Sequence, residues 1–281
     1  MPKNICVINM KGGVGKTTLA VNLAWYGALR GYRSLVVDLD PQFNASVYLM
    51  GPRSYRNYIQ GGGLSTFDIF EEHSPARDPQ RPKPSAVTAI YTQLSRPWGA
   101  TNDIHLIPSQ LELAYTLKNP GQKAHLLATF LQREASDYDL IVVDPPPTDS
   151  MATEAAYLAC NYVVVPVKPE YLSSVGFPLL QRSVSAFKQS YPGHQLDVVG
   201  VVLMNVDESQ PEYAKARTDT VNWAQSAGYP FLDIQIHFSR SYLKGARYGN
   251  PIFQTSYARW HVAEEFKHLA HEVLTRIGLQ C

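Results

Sequence analysis

Short runs of uninterrupted apolar residues alternate along this chain with longer stretches whose apolar positions recur at helical spacing. The runs at 5–9, 34–38, 140–144, 162–167 and 198–203 are too short for helices and rich in Val and Ile, so they predict strands, as do the shorter runs at 104–107 and 231–236. Between them, 17–30, 123–134, 151–160, 174–190, 211–227 and 258–277 carry the helical period. Strands that are apolar throughout lack the in-out alternation of a half-exposed sheet. They predict an α/β fold with a mostly parallel central sheet and helices on both faces. The stretch 51–102 breaks the rhythm, with Gly61, Gly62 and Gly63 together and Pro75, Pro79, Pro82 and Pro84 in a polar run. It predicts an excursion with one or two short helices inside a single domain spanning 1–281, not a second domain.

Composition agrees with a globular core and narrows the partners. The chain has 281 residues, 45% apolar and 17% charged, which excludes disordered and fibrous classes. Its 25 Lys and Arg nearly balance 24 Asp and Glu, so a nucleic acid or an anionic surface must be met by a local patch. Cys6, Cys160 and Cys281 are far apart and match no metal-ligand spacing, which fits a reducing compartment and a cytoplasmic protein. Only about five apolar residues run together before Lys11, short of a signal-peptide core of roughly 7 to 15. No stretch approaches the roughly 18 apolar residues of a membrane span, so a soluble protein that begins on its first strand is expected.

The candidate chemistry starts at the end of the first strand. Lys11-Gly12-Gly13-Val14-Gly15-Lys16-Thr17-Thr18 places a glycine-rich turn where a helix opens. Glycines let backbone N–H groups converge on phosphate oxygens, and the helix dipole favours the anion. Lys16 is positioned to reach β and γ phosphates, and the Thr17 hydroxyl to join a Mg²⁺ shell. The position six residues before Lys16 is Met10, not the usual glycine, so Gly12 and Gly13 supply the turn. A second lysine, Lys11, is not needed to hold phosphate within one subunit. With it the segment resembles the deviant Walker A box of the ParA and MinD group of P-loop ATPases. The resemblance implies a P-loop NTPase architecture and an ATP-sandwich homodimer, in which Lys11 crosses to the partner's nucleotide.

Carboxylates end two of the apolar strands, where ligands sit in open α/β sheets. In Asp38-Leu39-Asp40-Pro41-Gln42 one of the two acids can orient a water. The pattern is similar to the family's Asp-x-Asp-Pro-Gln box, which implies Asp40 as the residue that positions the attacking water and Asp38 near the outer shell of the metal. The strand ending in Asp144 has the arrangement that holds Mg²⁺ through water and resembles a Walker B box. The family continues with a variable residue, two prolines and a serine, whereas this chain reads Pro145, Pro146, Pro147 and Thr148.

Farther along, Asn205 ends another apolar run, and two readings stand: a partner for the adenine edge, or a turn residue. Val163–Val167 and Glu170 look like the family's next strand and loop. The segment 239–252 is similar to its late loop near base and ribose, with Ser239 before Arg240 in place of a Pro-Arg pair. Between 213 and 259 six basic residues face two acidic ones. Lys215, Arg217, Arg240, Lys244 and Arg247 are candidates for non-specific contact with double-stranded DNA, the solvated face being the alternative.

The resemblance thus implies a slow ATPase using ATP and Mg²⁺, with Lys11, Lys16 and Asp40 catalytic. Such a protein is nucleoid-associated, stimulated by a ParB-like or other cargo-adaptor protein, and segregates or positions a plasmid, a chromosome or a protein assembly. Three alternatives share the scaffold. A MinD-like membrane-associated ATPase needs a basic amphipathic C-terminal helix, whereas Glu264, Glu265 and Glu272 offset Lys267 and Arg276 here. A metabolic ligase or synthetase resembling dethiobiotin synthetase would use the excursion as a substrate pocket. An electron-transfer ATPase needs paired cysteines at a dimer face, and Cys160 alone does not provide them.

Overall fold

The computed structural model describes residues 1–72, 104–118, 121–170, 173–255 and 258–280. The remainder of the 51–102 excursion, from 73 onward, lies outside the described residues. In chain order the elements are β1 (Lys3–Val7), α1 (Lys16–Leu29), β2 (Ser34–Asp38), α2 (Asn44–Met50), α3 (Pro52–Gln60), α4 (Thr66–Phe70), β3 (Ile104–Ile107), α5 (Leu113–Lys118) and α6 (Leu126–Glu134). Then follow β4 (Leu140–Asp144), α7 (Met151–Ala159), β5 (Tyr162–Val167), α8 (Ser173–Ser190), β6 (Asp197–Val206), α9 (Tyr213–Ser226), β7 (Phe231–His237), α10 (Arg240–Tyr248) and α11 (Trp260–Arg276).

The strands form one seven-stranded sheet in the order β3-β2-β4-β1-β5-β6-β7, and every pairing is parallel. Every residue of β2 and β4 is buried, so both faces of the sheet are covered, which is why the sequence of these strands shows no alternation. From β1 the chain builds outward to β2 and β3 on one side, then returns and builds β5, β6 and β7 on the other. The reversal opens a crevice beyond the carboxyl ends of the central strands, where an α/β sheet binds its ligand. β2 and β4 are adjacent there, with Asp38 in register with Asp144.

α1 springs from that crevice and is buried nearly all round: Leu19, Ala20, Val21, Leu23, Ala24, Trp25 and Ala28 are within the core, packed by the sheet, α2 and α11. Gly27 marks the closest approach, since a Cβ there would stand 2.7 Å from Leu140 Cδ2 and 2.8 Å from Ser34 Oγ. α11 buries Val262, Phe266, Leu269, Val273 and Leu274 against β7 and α1, so its apolar face belongs to the core. No helix among the described residues is long and apolar enough to cross a membrane.

Candidate functional site

The turn from β1 into α1 is shaped by two glycines in the left-handed region, Gly13 at φ +73° and Gly15 at φ +97°, which side chains with a Cβ seldom adopt. Gly15 caps α1, and Lys16 and Thr17 open its first turn. The start of the loop is pinned by Asn9: its Nδ2 donates to the Pro166 carbonyl at 2.8 Å, and its Oδ1 accepts from Lys11 N at 2.9 Å. Asn205 closes the other side in a left-handed conformation, φ 56°, and its Nδ2 lies 3.6 Å from where a Gly15 Cβ would stand. An alanine at 15 would thus meet backbone strain, its Cβ resting in ordinary contact with Met204 and Asn205.

Lys16 Nζ donates to the Lys11 carbonyl at 3.2 Å, folded over its own loop. Burial pulls its pKa below the ordinary lysine value, opposed by the charges of Asp144 and Asp40. Thr17 Oγ1 donates to Asp144 Oδ2 at 2.7 Å, while Asp144 Oδ1 is buried with no hydrogen-bond partner among the described residues. Burial pushes Asp144 up to about 7, against the Thr17 hydrogen bond and the Lys16 charge. A hydroxyl and a buried carboxylate with an open oxygen, beside a phosphate-sized loop, make an all-oxygen donor set of the kind Mg²⁺ takes. The residues present therefore fit the metal that the loop implies.

Asp38 and Asp40 have separate surroundings. Asp38 is wholly buried and accepts from Ser46 N at 2.8 Å, Ser46 Oγ at 2.7 Å and Asp40 N at 3.1 Å. Burial first, and then the charge of Asp144, raise its pKa to about 8. Its oxygens thus tie α2 to the end of β2. Asp40 is half-buried, accepts from Gln42 N at 2.9 Å and faces the open crevice. A cavity of about 540 Å³ lies there, bounded by Gly12, Gly15, Lys16, Thr17, Thr18 and Asp40 on the phosphate side, and by Asn205, Phe238, Tyr242 and Leu243 on the other. A second recess of about 680 Å³ adjoins it across Lys168, Asn205 and Phe238. Val14 is buried under the loop.

Lys11 turns inward within its own chain: its Nζ pairs with Glu170 Oε1, and Glu170 Oε2 also receives Lys168 at 2.8 Å. The hydrogen bonds from Lys11 and then Lys168 hold the Glu170 carboxyl below the usual carboxylate range.

Residues 2–197 match the AAA_31 family model, an AAA domain. The chain is 31% identical over 207 residues to the sporulation initiation inhibitor protein Soj of Bacillus subtilis, covering 74% of each chain. It is 28% identical over 263 residues to the chromosome partitioning protein ParA of Caulobacter vibrioides, covering 86% of this chain and 92% of that one. This chain belongs to the ParA/MinD-type P-loop ATPases. Among solved structures, apo McdA of Cyanothece superposes with a TM-score of 0.76 at 17% identity, over 99% of this chain and 100% of that one. Cobyrinic acid a,c-diamide synthase of Mycobacterium smegmatis with ADP and magnesium gives a TM-score of 0.70 at 20% identity, over 96% and 93%.

In this ParA/MinD-type ATPase the phosphate loop, Asp40, Asp144 and Asn205, far apart in sequence, come together around one crevice. The candidate DNA residues divide. Arg240, Lys244 and Arg247 stand at i, i+4 and i+7 of α10, on one stripe of that helix. Lys215 and Arg217 are on α9, where Arg217 donates to Asp233 at 2.8 Å and has its charge answered. The 239–252 segment expected near base and ribose brings Ser239, Tyr242 and Leu243 to the cavity, whereas sequence reasoning missed Asn9, Ser46, Lys168 and Phe238. The signal for α10 was present, in Ser239 as N-cap, its Oγ accepting from Ser241 N at 3.2 Å, and Gly249 at φ +70° as its stop.

Proposed function

We propose that this chain is a ParA-type ATP switch that binds MgATP in the crevice, closes with a second copy around two nucleotides, and hydrolyses ATP slowly until a cargo-adaptor protein stimulates it. The observation that carries the reading is that Lys16, Thr17 and Asp40 line one cavity at the reversal of strand order, with Asp144 bonded to Thr17 beneath it and Lys11, held by Glu170, at the start of the same loop. The backbone of Gly12–Thr18 cradles the phosphates, and Lys16 offsets charge on the β and γ groups. Thr17 and Asp144 would hold Mg²⁺, with Asp38 behind them; bound there, the metal neutralises charge building on the transferred phosphoryl group. Asp40 orients the attacking water, Asn205 takes the adenine edge, and Lys11 leaves Glu170 to reach the partner's nucleotide.

The α10 stripe of Arg240, Lys244 and Arg247 supports non-specific contact with the phosphates of duplex DNA, and a dimer doubles that stripe. A nucleoid-associated cytoplasmic protein that segregates or positions a cargo follows, in line with what the names of Soj and ParA say of those relatives. The buried apolar face of α11 argues against a MinD-like membrane helix. The likeness to the Mycobacterium synthase keeps an ATP-dependent synthetase as the second reading.

The test is binding to random-sequence duplex DNA with ATP, with ADP and without nucleotide, each at two salt concentrations. Binding with ATP alone, weakening steeply with salt, is the expected result. ATP binding with no DNA binding under any condition would sink the partitioning reading and move weight to the synthetase.

A further inference from the structure

Beside the nucleotide cavity, a separate recess of about 490 Å³ opens between the first turns of α10 and α11. Phe238, Ser239, Arg240, Lys244, Arg259 and His261 line it, and among the described residues no carboxylate does. Arg240 and Arg259 make no ion pair or hydrogen bond through their side chains among the described residues. Two guanidinium groups held in one concavity, Arg240 and Arg259, repel one another and focus positive potential, which an anion relieves. Guanidinium groups match the tetrahedral oxygens of a phosphoryl group with paired N–H donors, and the amides at the start of two helices add to the same field. Phe238, 57% exposed, supplies one apolar wall. The volume is that of a small-ligand pocket.

We propose that this recess is a second anion site, separate from the phosphate loop, for a small phosphoryl ligand: inorganic phosphate, pyrophosphate or the phosphate tail of a nucleotide. Its position gives it leverage on the first site. Phe238 and Ser239 line both cavities, and α10 turns Tyr242 and Leu243 toward the nucleotide while Arg240 and Lys244 face the recess. A ligand that orders this shared wall shifts nucleotide affinity, and the nucleotide shifts the ligand's affinity by the same factor. On the DNA reading, which this consequence alone requires, the ligand also withdraws Arg240 and Lys244 from duplex phosphates.

The experiment is calorimetric titration of pyrophosphate, without Mg²⁺, into the Lys16→Ala protein, whose phosphate loop is disabled. Saturable binding is expected, at about one site per chain. Adding Arg259→Ala should weaken it by about tenfold or more, a loss of about 1.4 kcal/mol. Lys215→Ala, outside the recess, leaves it unchanged, and circular dichroism confirms that each variant is folded. ADP binding tighter than pyrophosphate would mark a nucleotide as the ligand, and equal affinity a bare phosphate; either supports the site. No saturable heat in Lys16→Ala, or the same affinity with Arg259→Ala added, overturns the proposal. So does duplex DNA bound through Arg240 and Arg259 with no uptake of pyrophosphate, since the cations would then serve a polyanion surface.

Discussion

Within the crevice, charges of opposite sign answer one another. Lys16 leans on its own loop, Lys11 is held by Glu170, and Asp144 keeps one oxygen for Thr17 and one open. Each lysine therefore has a contact to give up when phosphate arrives, and the roles separate by substitution. Lys16→Ala removes the cation that meets the β and γ phosphates, and ATP binding by calorimetry should fall at least about a hundredfold, given charge-assisted bonds of about 1.5–3 kcal/mol in water and more in a dry site. Asp40→Ala leaves that cradle intact; ATP affinity should stay within about threefold while hydrolysis stops, since only placement of the water is lost. Normal turnover in that variant would remove Asp40 from its role. The residue types at this site were legible because phosphate chemistry demands them at fixed spacing. Asn9 and Ser46 were not, since a lone Asn or Ser carries no pattern and acts only through the strand that folding places beside it.

Secondary elements carry the next layer of consequence. α1 lies so close to the sheet that Gly27 has no room for a side chain. Gly27→Val should destabilise the fold by about 1–3 kcal/mol, through overpacking against Leu140 and Ser34, as read by urea denaturation. An unchanged midpoint would mean that the helix moves outward at no cost. α10 bears the proposed DNA stripe, and Arg247→Ala, outside both cavities, should weaken duplex binding and reduce the slope of log affinity against log salt by about one per chain, with ATP binding unchanged. The strands were readable because a parallel sheet covered on both faces requires unbroken apolar runs, and 34–38, 104–107, 140–144 and 162–167 coincide with β2, β3, β4 and β5. α2, α5 and α10 escaped notice. α10 buries Ser241, Tyr242 and Gly245, so its inner face is not a hydrophobic stripe, and Gly245 sits where a Cβ would be 2.7 Å from the Asn250 carbonyl.

At the scale of the whole molecule the proposed function is a switch between one copy and two. A Lys11 that reaches a second copy's nucleotide must first leave Glu170, a partly exposed pair of the kind that contributes at most about 1 kcal/mol, so the in-chain contact is easily exchanged for a stronger one. Lys11→Ala should keep ATP binding within about threefold yet abolish ATP-dependent dimerisation, measured by light scattering on a column in the Asp40→Ala background, where hydrolysis does not deplete the ATP. Dimers in that double variant would assign Lys11 to phosphate binding within one chain. Local patterns in the sequence were enough to determine the class of fold, the ligand chemistry of the loop and the carboxylates at two strand ends, because hydrophobic period, glycine backbone freedom and charge are properties of neighbouring residues. Only the tertiary structure decided that Asp38 ties α2 to its strand, that Lys11 rests on Glu170, and that Arg259 and His261 join Arg240 and Lys244 around a recess. Those facts depend on how strand ends and helix starts are brought together in three dimensions, across 159 positions for Lys11 and Glu170 and only eight for Asp38 and Ser46, and neither segment alone carries a pattern that announces its partner.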